Sequence, residues 1–446
     1  MHGHWSSRLA FILAVAGSAI GLGNIWKFPY IAGVNGGGAF VLVYLACVFV
    51  VGLPIMMAEV LIGRRGRRNP IATMLLLGEE ESGSAHWALI GVVGVVAGFL
   101  ILSYYSVIAG WAIAYILEGA SGAFIDIDAA GVGEIFSSLS GNWLTTSFWH
   151  TLFMLMTLVV VSKGVERGLE RAVRVLMPAL VALLLVLLGY SMIAGDFAAG
   201  LRFMFEPKFS ELTQAGALSA LGHAFFTLSV GMGAVMAYGA YLPAETSIIK
   251  TSIAVVFADT AIAILAGLVI FPIVFANGLD PATGPGLIFQ SLPLAFGQLP
   301  GGVVIAVLFF LLLTFAAWTS AISLMEPAVA WLIEARDISR GQAAWMIGGT
   351  IWLLGFLSVW SFNLLADFTL FGRTVFDNLD FLTSNIMLPL GGLAIVFFAG
   401  WIMCRNSTAD ELDPDAGAAY RAWRFSARYI APIAVILIFL NAVGLI

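Results

Sequence analysis

GSAIGLGNIWKFP, residues 17–29, interrupts a hydrophobic stretch that is long enough to cross a membrane. Gly17, Ser18, Ala19, Gly21 and Gly23 fall within seven positions, and Asn24, Lys27 and Pro29 follow. Glycine costs about 0.8–1.0 kcal/mol relative to alanine inside a helix. Unwinding there also frees amides and carbonyls, each costing several kcal/mol if left bare in hydrocarbon. Such a break persists only where something satisfies those groups. Carbonyls can ligate a cation, and amides at the start of a half-helix can hold an anion. The competing explanation is close helix packing, because GSAIG (17–21) fits a small-xxx-small pattern.

The surrounding chain is that of a polytopic membrane protein. Of 446 residues, 61% are hydrophobic and 10% are charged, against about 25% charged in soluble domains. Nothing resembles a cleavable signal peptide, because the first hydrophobic segment is long and carries polar residues in its middle. Cys47 and Cys404 form no framework and read as packing residues. The five histidines show no metal spacing, and no basic domain suggests a nucleic-acid partner. An intramembrane enzyme would need a nucleophile–base or metal set, and none is visible.

Eleven spans are expected, near 8–32, 38–62, 88–118, 148–163, 168–193, 214–240, 252–276, 300–334, 342–361, 380–403 and 427–446. Placing GRRGRR (63–68), SKGVERGLERAVR (162–174), EARDISR (334–340) and the arginines after span 10 on one side puts 16 of the 20 basic residues there. That side is cytoplasmic by the positive-inside rule, which puts the amino terminus in the cytoplasm and the carboxyl terminus outside. The segment 276–302 is apolar but too rich in Pro and Gly to span. It reads as a re-entrant or vestibule-covering loop.

Span 6 repeats the opening pattern. HAFFTLSVGMGAVMAYGAY (223–241) sets Thr227, Ser229, Gly231 and Gly233 in its middle. Two broken spans in matching places of two five-span halves are the signature of an inverted-repeat transporter. The halves are expected at 8–193 and 214–403 of a single domain over 1–446, with 427–446 as an extra span 11.

GSAIGLGNIWKFPY, NGGGAF (35–40), FFTLSVGMG (225–233) and TSAISLMEP (319–327) together resemble the neurotransmitter:sodium symporters, over nearly the whole chain. The resemblance implies an all-α, five-plus-five fold of the leucine-transporter type and two Na⁺ sites. The first would take the carbonyls of Ala19 and Thr227, the side chains of Asn24 and Thr227, Asp259 and the substrate carboxylate. The second would take the carbonyls of Gly17, Ile20 and Ala316 and the hydroxyls of Thr319 and Ser320. Without the resemblance, those hydroxyls read as bonded back to the preceding turn. Asp259 stands where the family usually has Asn. A carboxylate at the bilayer centre costs about 2.5–3.5 kcal/mol, unless it sits at a span end facing water. Chloride-dependent relatives place a Ser where this chain has Ala263, so Asp259 is expected to supply the charge and no chloride requirement is expected.

The resemblance further implies a substrate site at Ser18, Ala19, Gly21, Leu22, Gly23, Ile101, Tyr105, Phe226, Thr227, Ser229, Met232, Ser320 and Leu324. Gly21 replaces the Asp of monoamine carriers, which favours an amino acid. The lining is apolar and uncharged, and Met232 and Ser18 make it roomy, so bulky hydrophobic L-amino acids are expected. For the outer gate the resemblance implies Lys27 with Asp380, and Tyr105 with Phe226 as the lid; Lys27 could instead snorkel outward. For the inner gate it implies Trp5 and Glu334, with His2 where the family has Arg. Glu59 would brace the unwound part of span 6, and Gly168 and Pro178 would mark where span 5 unwinds. The function implied is Na⁺-coupled symport across a bacterial cytoplasmic membrane. A proton-coupled carrier would dispense with the Thr319–Ser320 hydroxyl pair; a non-transporting sensor would share the fold.

Overall fold

The computed structural model describes residue 5 and residues 7–284, 286–413, 417–442 and 445. His2 lies outside the described residues. Helices make up almost all of the chain, and among the described residues only two isolated β-bridges occur. Eight helices are long and apolar enough to cross a membrane: Gly38–Gly66, Ala85–Ser121, Trp143–Ser162, Val165–Ala194, Ile248–Ala276, Gly302–Arg336, Arg340–Trp360 and Val375–Ile402. A bent pair, Arg8–Ala19 and Gly23–Val34, makes a ninth. The broken Gln214–Thr227 plus Ala234–Ala240, and the run from Ala418 to Ala442, complete the eleven.

Span 1 begins where the Ser7 hydroxyl accepts the Ala10 amide at 3.2 Å, a side-chain cap for an otherwise orphaned donor. The helix ends at Ala19. Ile20 swings to an extended ψ of 99°, and helix resumes at Gly23 with the axis turned by 48°. Span 6 ends at Thr227 and restarts at Ala234. Between them Ser229, Gly231 and Gly233 all take positive φ, at 54°, 84° and 75°. Both breaks therefore lie where glycine-rich sequence puts them, five spans apart.

Glu59 of span 2 is completely buried, and its Oε1 accepts the Gly231 amide of the unwound segment. Glu59 thus meets the unwound part of span 6 through a hydrogen bond. Span 8 packs most extensively on span 3, so these two long helices form the frame against which the broken spans sit.

Elsewhere the boundaries move. The stretch expected as a loop over 119–147 contains an amphipathic helix, Ala129–Gly141, capped by the Asp128 carboxylate on the Gly131 amide at 2.8 Å. Span 11 starts nine residues earlier than expected, at Ala418, because Arg421, Arg424 and Arg428 sit on a helix. The segment 276–302 holds two short helical runs, Leu287–Ser291 and Leu292–Gln298. Its residues Gly286, Phe289 and Gln290 line the wide outer vestibule.

The φ of 84° at Gly231 is one that residues with a Cβ resist, and a Cβ there would come within 2.6 Å of the Leu388 carbonyl. A left-handed non-glycine residue costs about 1–3 kcal/mol before any clash. Gly231→Ala is expected to lower the melting temperature of the purified protein by several degrees. An unchanged melting curve would contradict the placement of the break.

Candidate functional site

The two breaks meet at the centre of the molecule. Freed backbone groups of span 1 find partners on three other spans. The Leu22 amide donates to the Tyr105 hydroxyl of span 3 at 3.2 Å. The Ser18 carbonyl accepts from Ser229 of span 6 at 2.9 Å and from Ser320 of span 8 at 3.0 Å. Ser320 Oγ also lies 3.4 Å from the Gly17 carbonyl and 3.3 Å from that of Ile20. Thr319 Oγ1 donates back to Ala316 at 3.0 Å, as an apolar helix would have it. The back-bond and the gathering of oxygens coexist. Between spans 1 and 8, Ser320 thus meets the carbonyls of Gly17 and Ile20, with the Thr319–Ala316 back-bond on the same stretch of span 8.

A second gathering lies between spans 1, 6 and 7. Asp259 is fully buried in the middle of span 7, not at a water-facing end. Asn24 Nδ2 donates to its Oδ1 at 2.7 Å and to its backbone carbonyl at 3.0 Å. The Thr227 hydroxyl lies 3.2 Å from both carboxylate oxygens. Asn24 Oδ1 in turn accepts the Gly21 amide at 2.9 Å, which ties the cluster to the break. Among the described residues, no ion pair involves Asp259. A buried carboxylate held only by neutral donors leaves negative charge to be compensated. The donor set is all oxygen and suits a hard cation such as Na⁺.

Between the two gatherings is a small cavity of about 20 Å³, room for about one water molecule with the side chains as they stand. Twelve of the thirteen expected substrate residues line it; Thr227 stands behind, on Asp259. From span 1 come Ser18 and Leu22, whose neighbour Gly21 has a spatial reason besides the one given by resemblance. A Cβ there would lie 2.8 Å from the Tyr105 hydroxyl and would collide with Ser320 Oγ. Ile101, Met232 and Leu324 give the cavity an apolar end, and no charged side chain lines it.

Above the cavity, Lys27 Nζ lies 3.6 Å from Asp380 and 4.4 Å over the Phe226 ring. Lys27 therefore turns inward to the pair and does not snorkel. The Tyr104 and Ser384 hydroxyls donate to Asp380 at 3.0 and 2.9 Å, so the adjacent tyrosines of span 3 split their duties. Tyr105 meets the break and Tyr104 the Lys27–Asp380 pair. Outside this lies a vestibule of about 400 Å³ with Trp26, Tyr30, Trp111 and Phe376 in its wall.

Below the cavity, Trp5 is buried. Its indole N–H donates to the Tyr238 carbonyl at 3.2 Å, and its ring meets Tyr238 edge-on at 5.3 Å. Glu334 accepts both the backbone and side-chain N–H of Asn69, at 3.0 and 2.7 Å. The sequence reading missed a second acid here. Glu326 is fully buried, pairs with Arg340 and accepts the Tyr241 hydroxyl at 3.1 Å. The signal was available, since an acid inside an apolar span demands a partner. Gly168 falls in the distorted turn Val165–Glu170, and Pro178 lies inside the following helix.

Comparisons with known proteins bear on this arrangement. Residues 2–124 and 140–445 match the family model described as the Sodium:neurotransmitter symporter family. A Bacillus subtilis (strain 168) protein described as the uncharacterized sodium-dependent transporter YhdH is 39% identical over 445 residues, 99% of this chain and 98% of its own. An uncharacterized sodium-dependent transporter of Haemophilus influenzae is 34% identical, over 98% of this chain and 97% of its own. The crystal structure of MhsT in complex with L-phenylalanine is 43% identical, with a TM-score of 0.92 over 99% of this chain and 100% of that one.

Asp259→Asn keeps the size of the side chain and removes its charge. Ligand bound at a hundred times its Kd stabilises by about 2.7 kcal/mol. The rise in melting temperature produced by saturating NaCl over choline chloride is expected to shrink by about half if the substitution weakens sodium tenfold. An equal rise in both proteins would remove Asp259 from the cation site.

Proposed function

Given that the chain belongs to the Sodium:neurotransmitter symporter family, whose members here are sodium-dependent membrane transporters, we propose that it takes up bulky hydrophobic L-amino acids with Na⁺ by alternating access. The observation that carries this reading is the joint site. A buried carboxylate without a cationic partner adjoins an uncharged cavity whose mouth presents unwound backbone.

In this reading one Na⁺ sits among Ala19, Asn24, Thr227 and Asp259, and a second among Gly17, Ile20, Ala316, Thr319 and Ser320. The substrate carboxylate lies by the Leu22 and Gly23 amides and the Tyr105 hydroxyl, next to the first ion. Sodium and substrate thus neutralise one another in a water-poor site, so each strengthens the binding of the other. Each net charge crossing the membrane gains about 2.3 kcal/mol per 100 mV. The direction is inward if residue 8 and the arginine-rich segments face the cytoplasm of a bacterial cell.

Substrate size follows from Met232, which is unbranched and flexible and yields to a large ligand. The L-phenylalanine in the MhsT structure supports the same choice. Asp259, with the hydroxyl-free and buried Ala263 one turn on, supplies the negative charge for which chloride-dependent transporters use an anion. At the outer gate, Lys27 and Asp380 close over Phe226 and Tyr105. At the inner gate, Trp5 on Tyr238 fills the path while Glu334 holds Asn69.

Uptake into proteoliposomes tests the reading. Replacing Na⁺ by choline is expected to abolish it, and Thr319→Ala to raise the sodium concentration needed. Uptake driven by a pH gradient without sodium would favour a proton-coupled carrier, and binding without uptake a sensor. Replacing chloride by gluconate is expected to leave the rate unchanged; a loss would refute the role given to Asp259. Tryptophan and phenylalanine are expected to compete better than glycine or alanine, and Met232→Phe to weaken tryptophan more than leucine. A methylene in such a pocket discriminates by about 1–3 kcal/mol, so an unchanged tryptophan-to-leucine ratio would contradict the pocket. Trp5→Ala is expected to increase labelling of a cysteine placed in the inner path, and equal labelling in Na⁺ buffer would exclude the plug.

A further inference from the structure

At the end of the molecule that carries the arginine-rich loops, spans 10 and 11 run side by side through two π-helical turns, Phe398–Ile402 and Ser426–Ile430. The turns are clasped together. The Trp401 indole N–H donates to the Arg428 carbonyl at 3.1 Å. Arg428 Nε donates to the Gly400 carbonyl at 2.5 Å, and its guanidinium lies 5.1 Å from the centroid of the Trp401 ring. Tyr429 meets Trp401 edge-on at 5.7 Å, and Phe425 is 5.4 Å from Tyr429. These three rings are 46%, 45% and 59% exposed, an aromatic patch with no protein over it. Arg421, exposed, follows at helical spacing, since 421, 425 and 429 share one face.

Fixed aromatic rings beside arginines at a span end match the headgroup layer of a bilayer, where amphipathic rings concentrate and basic side chains meet phosphates. We propose that this patch binds the phosphodiester headgroup of an acidic phospholipid, with Arg421 and Arg428 on the phosphate and Trp401, Tyr429 and Phe425 against the start of the acyl chains. Arg428 has one N–H fixed on Gly400 and one face over Trp401. Among the described residues nothing else bonds its guanidinium, so its outer edge can present the paired donors that a phosphate accepts. Three acids of the neighbouring segments are engaged elsewhere, and Asp410 is exposed. Glu411 pairs with Arg64 at 2.5 Å, Glu81 accepts the Cys404 amide at 2.8 Å, and Asp413 accepts the Gly417 amide at 3.0 Å. Arg424 is held by Thr408 and Tyr420, both at 2.8 Å, and belongs to the fold. Free phosphate shares the chemistry of the headgroup. The three exposed rings, which a bare ion would not cover, favour the lipid.

The test is native mass spectrometry of the full chain in detergent, with added phosphatidylglycerol, phosphatidylcholine or inorganic phosphate. The wild type is expected to retain phosphatidylglycerol against excess phosphatidylcholine and against excess phosphate. Arg421→Gln/Arg428→Gln is expected to lose that retention by about tenfold or more, at about 1 kcal/mol for each arginine near the headgroup. Arg421→Gln alone, at an exposed site, is expected to lose part of it, which keeps the test decisive if the double variant fails to fold. Equal retention of phosphatidylglycerol by the variants, equal retention of phosphatidylcholine, or displacement by inorganic phosphate would each overturn the proposal.

Discussion

A backbone that leaves the helix at membrane depth must find a partner for every amide and carbonyl it frees. In this chain two segments, Ile20–Leu22 and residues 228–233, do so, and much of the centre is arranged to serve them. Span 2 offers Glu59 to the Gly231 amide, span 3 offers Tyr105 to the Leu22 amide, and span 8 offers Ser320 to three carbonyls of span 1. Each partner is a polar side chain buried in an otherwise apolar helix. Such residues are costly in a membrane unless they are used. Their positions mark the site as firmly as the glycines do.

In the proposed function, the same constraint brings ions and substrate to one place. Buried side chains take up backbone groups that the breaks release, and Asp259 adds charge that neutral Asn24 and Thr227 share without cancelling. As proposed, a cation and a zwitterion would complete the balance together. The layers above and below differ in kind. The outer closure is a charged pair with an aromatic lid, which water can loosen. The inner one is a buried indole on tyrosines, with the Glu326–Arg340 pair close by through Tyr241. If these are the two gates proposed, opening inward has to disturb more packing than opening outward.

Much of this was legible in the residues. Paired glycine clusters in two spans locate the breaks because glycine is the residue that both permits and weakens a bend. The cavity lining was legible through the resemblance, since no periodicity distinguishes Ile101 or Leu324 from core. What stayed hidden has physical causes. The helix Ala129–Gly141 is amphipathic and short, so hydropathy leaves it as loop. Arg421, Arg424 and Arg428 disguise the start of span 11 because their stems lie along a helix while their charges look like loop. The Arg64–Glu411 pair joins residues 347 apart in sequence, which no local pattern reports.

The central claim is that sodium and a hydrophobic amino acid occupy adjoining parts of one site and bind as a coupled pair. It is tested most directly by titrating the purified protein with L-phenylalanine in sodium and in choline buffer, and with sodium in the presence and absence of L-phenylalanine. Coupling through a shared site predicts that each ligand tightens the other by the same factor, on the order of 5–150-fold. L-phenylalanine binding as tightly in choline as in sodium would contradict the account.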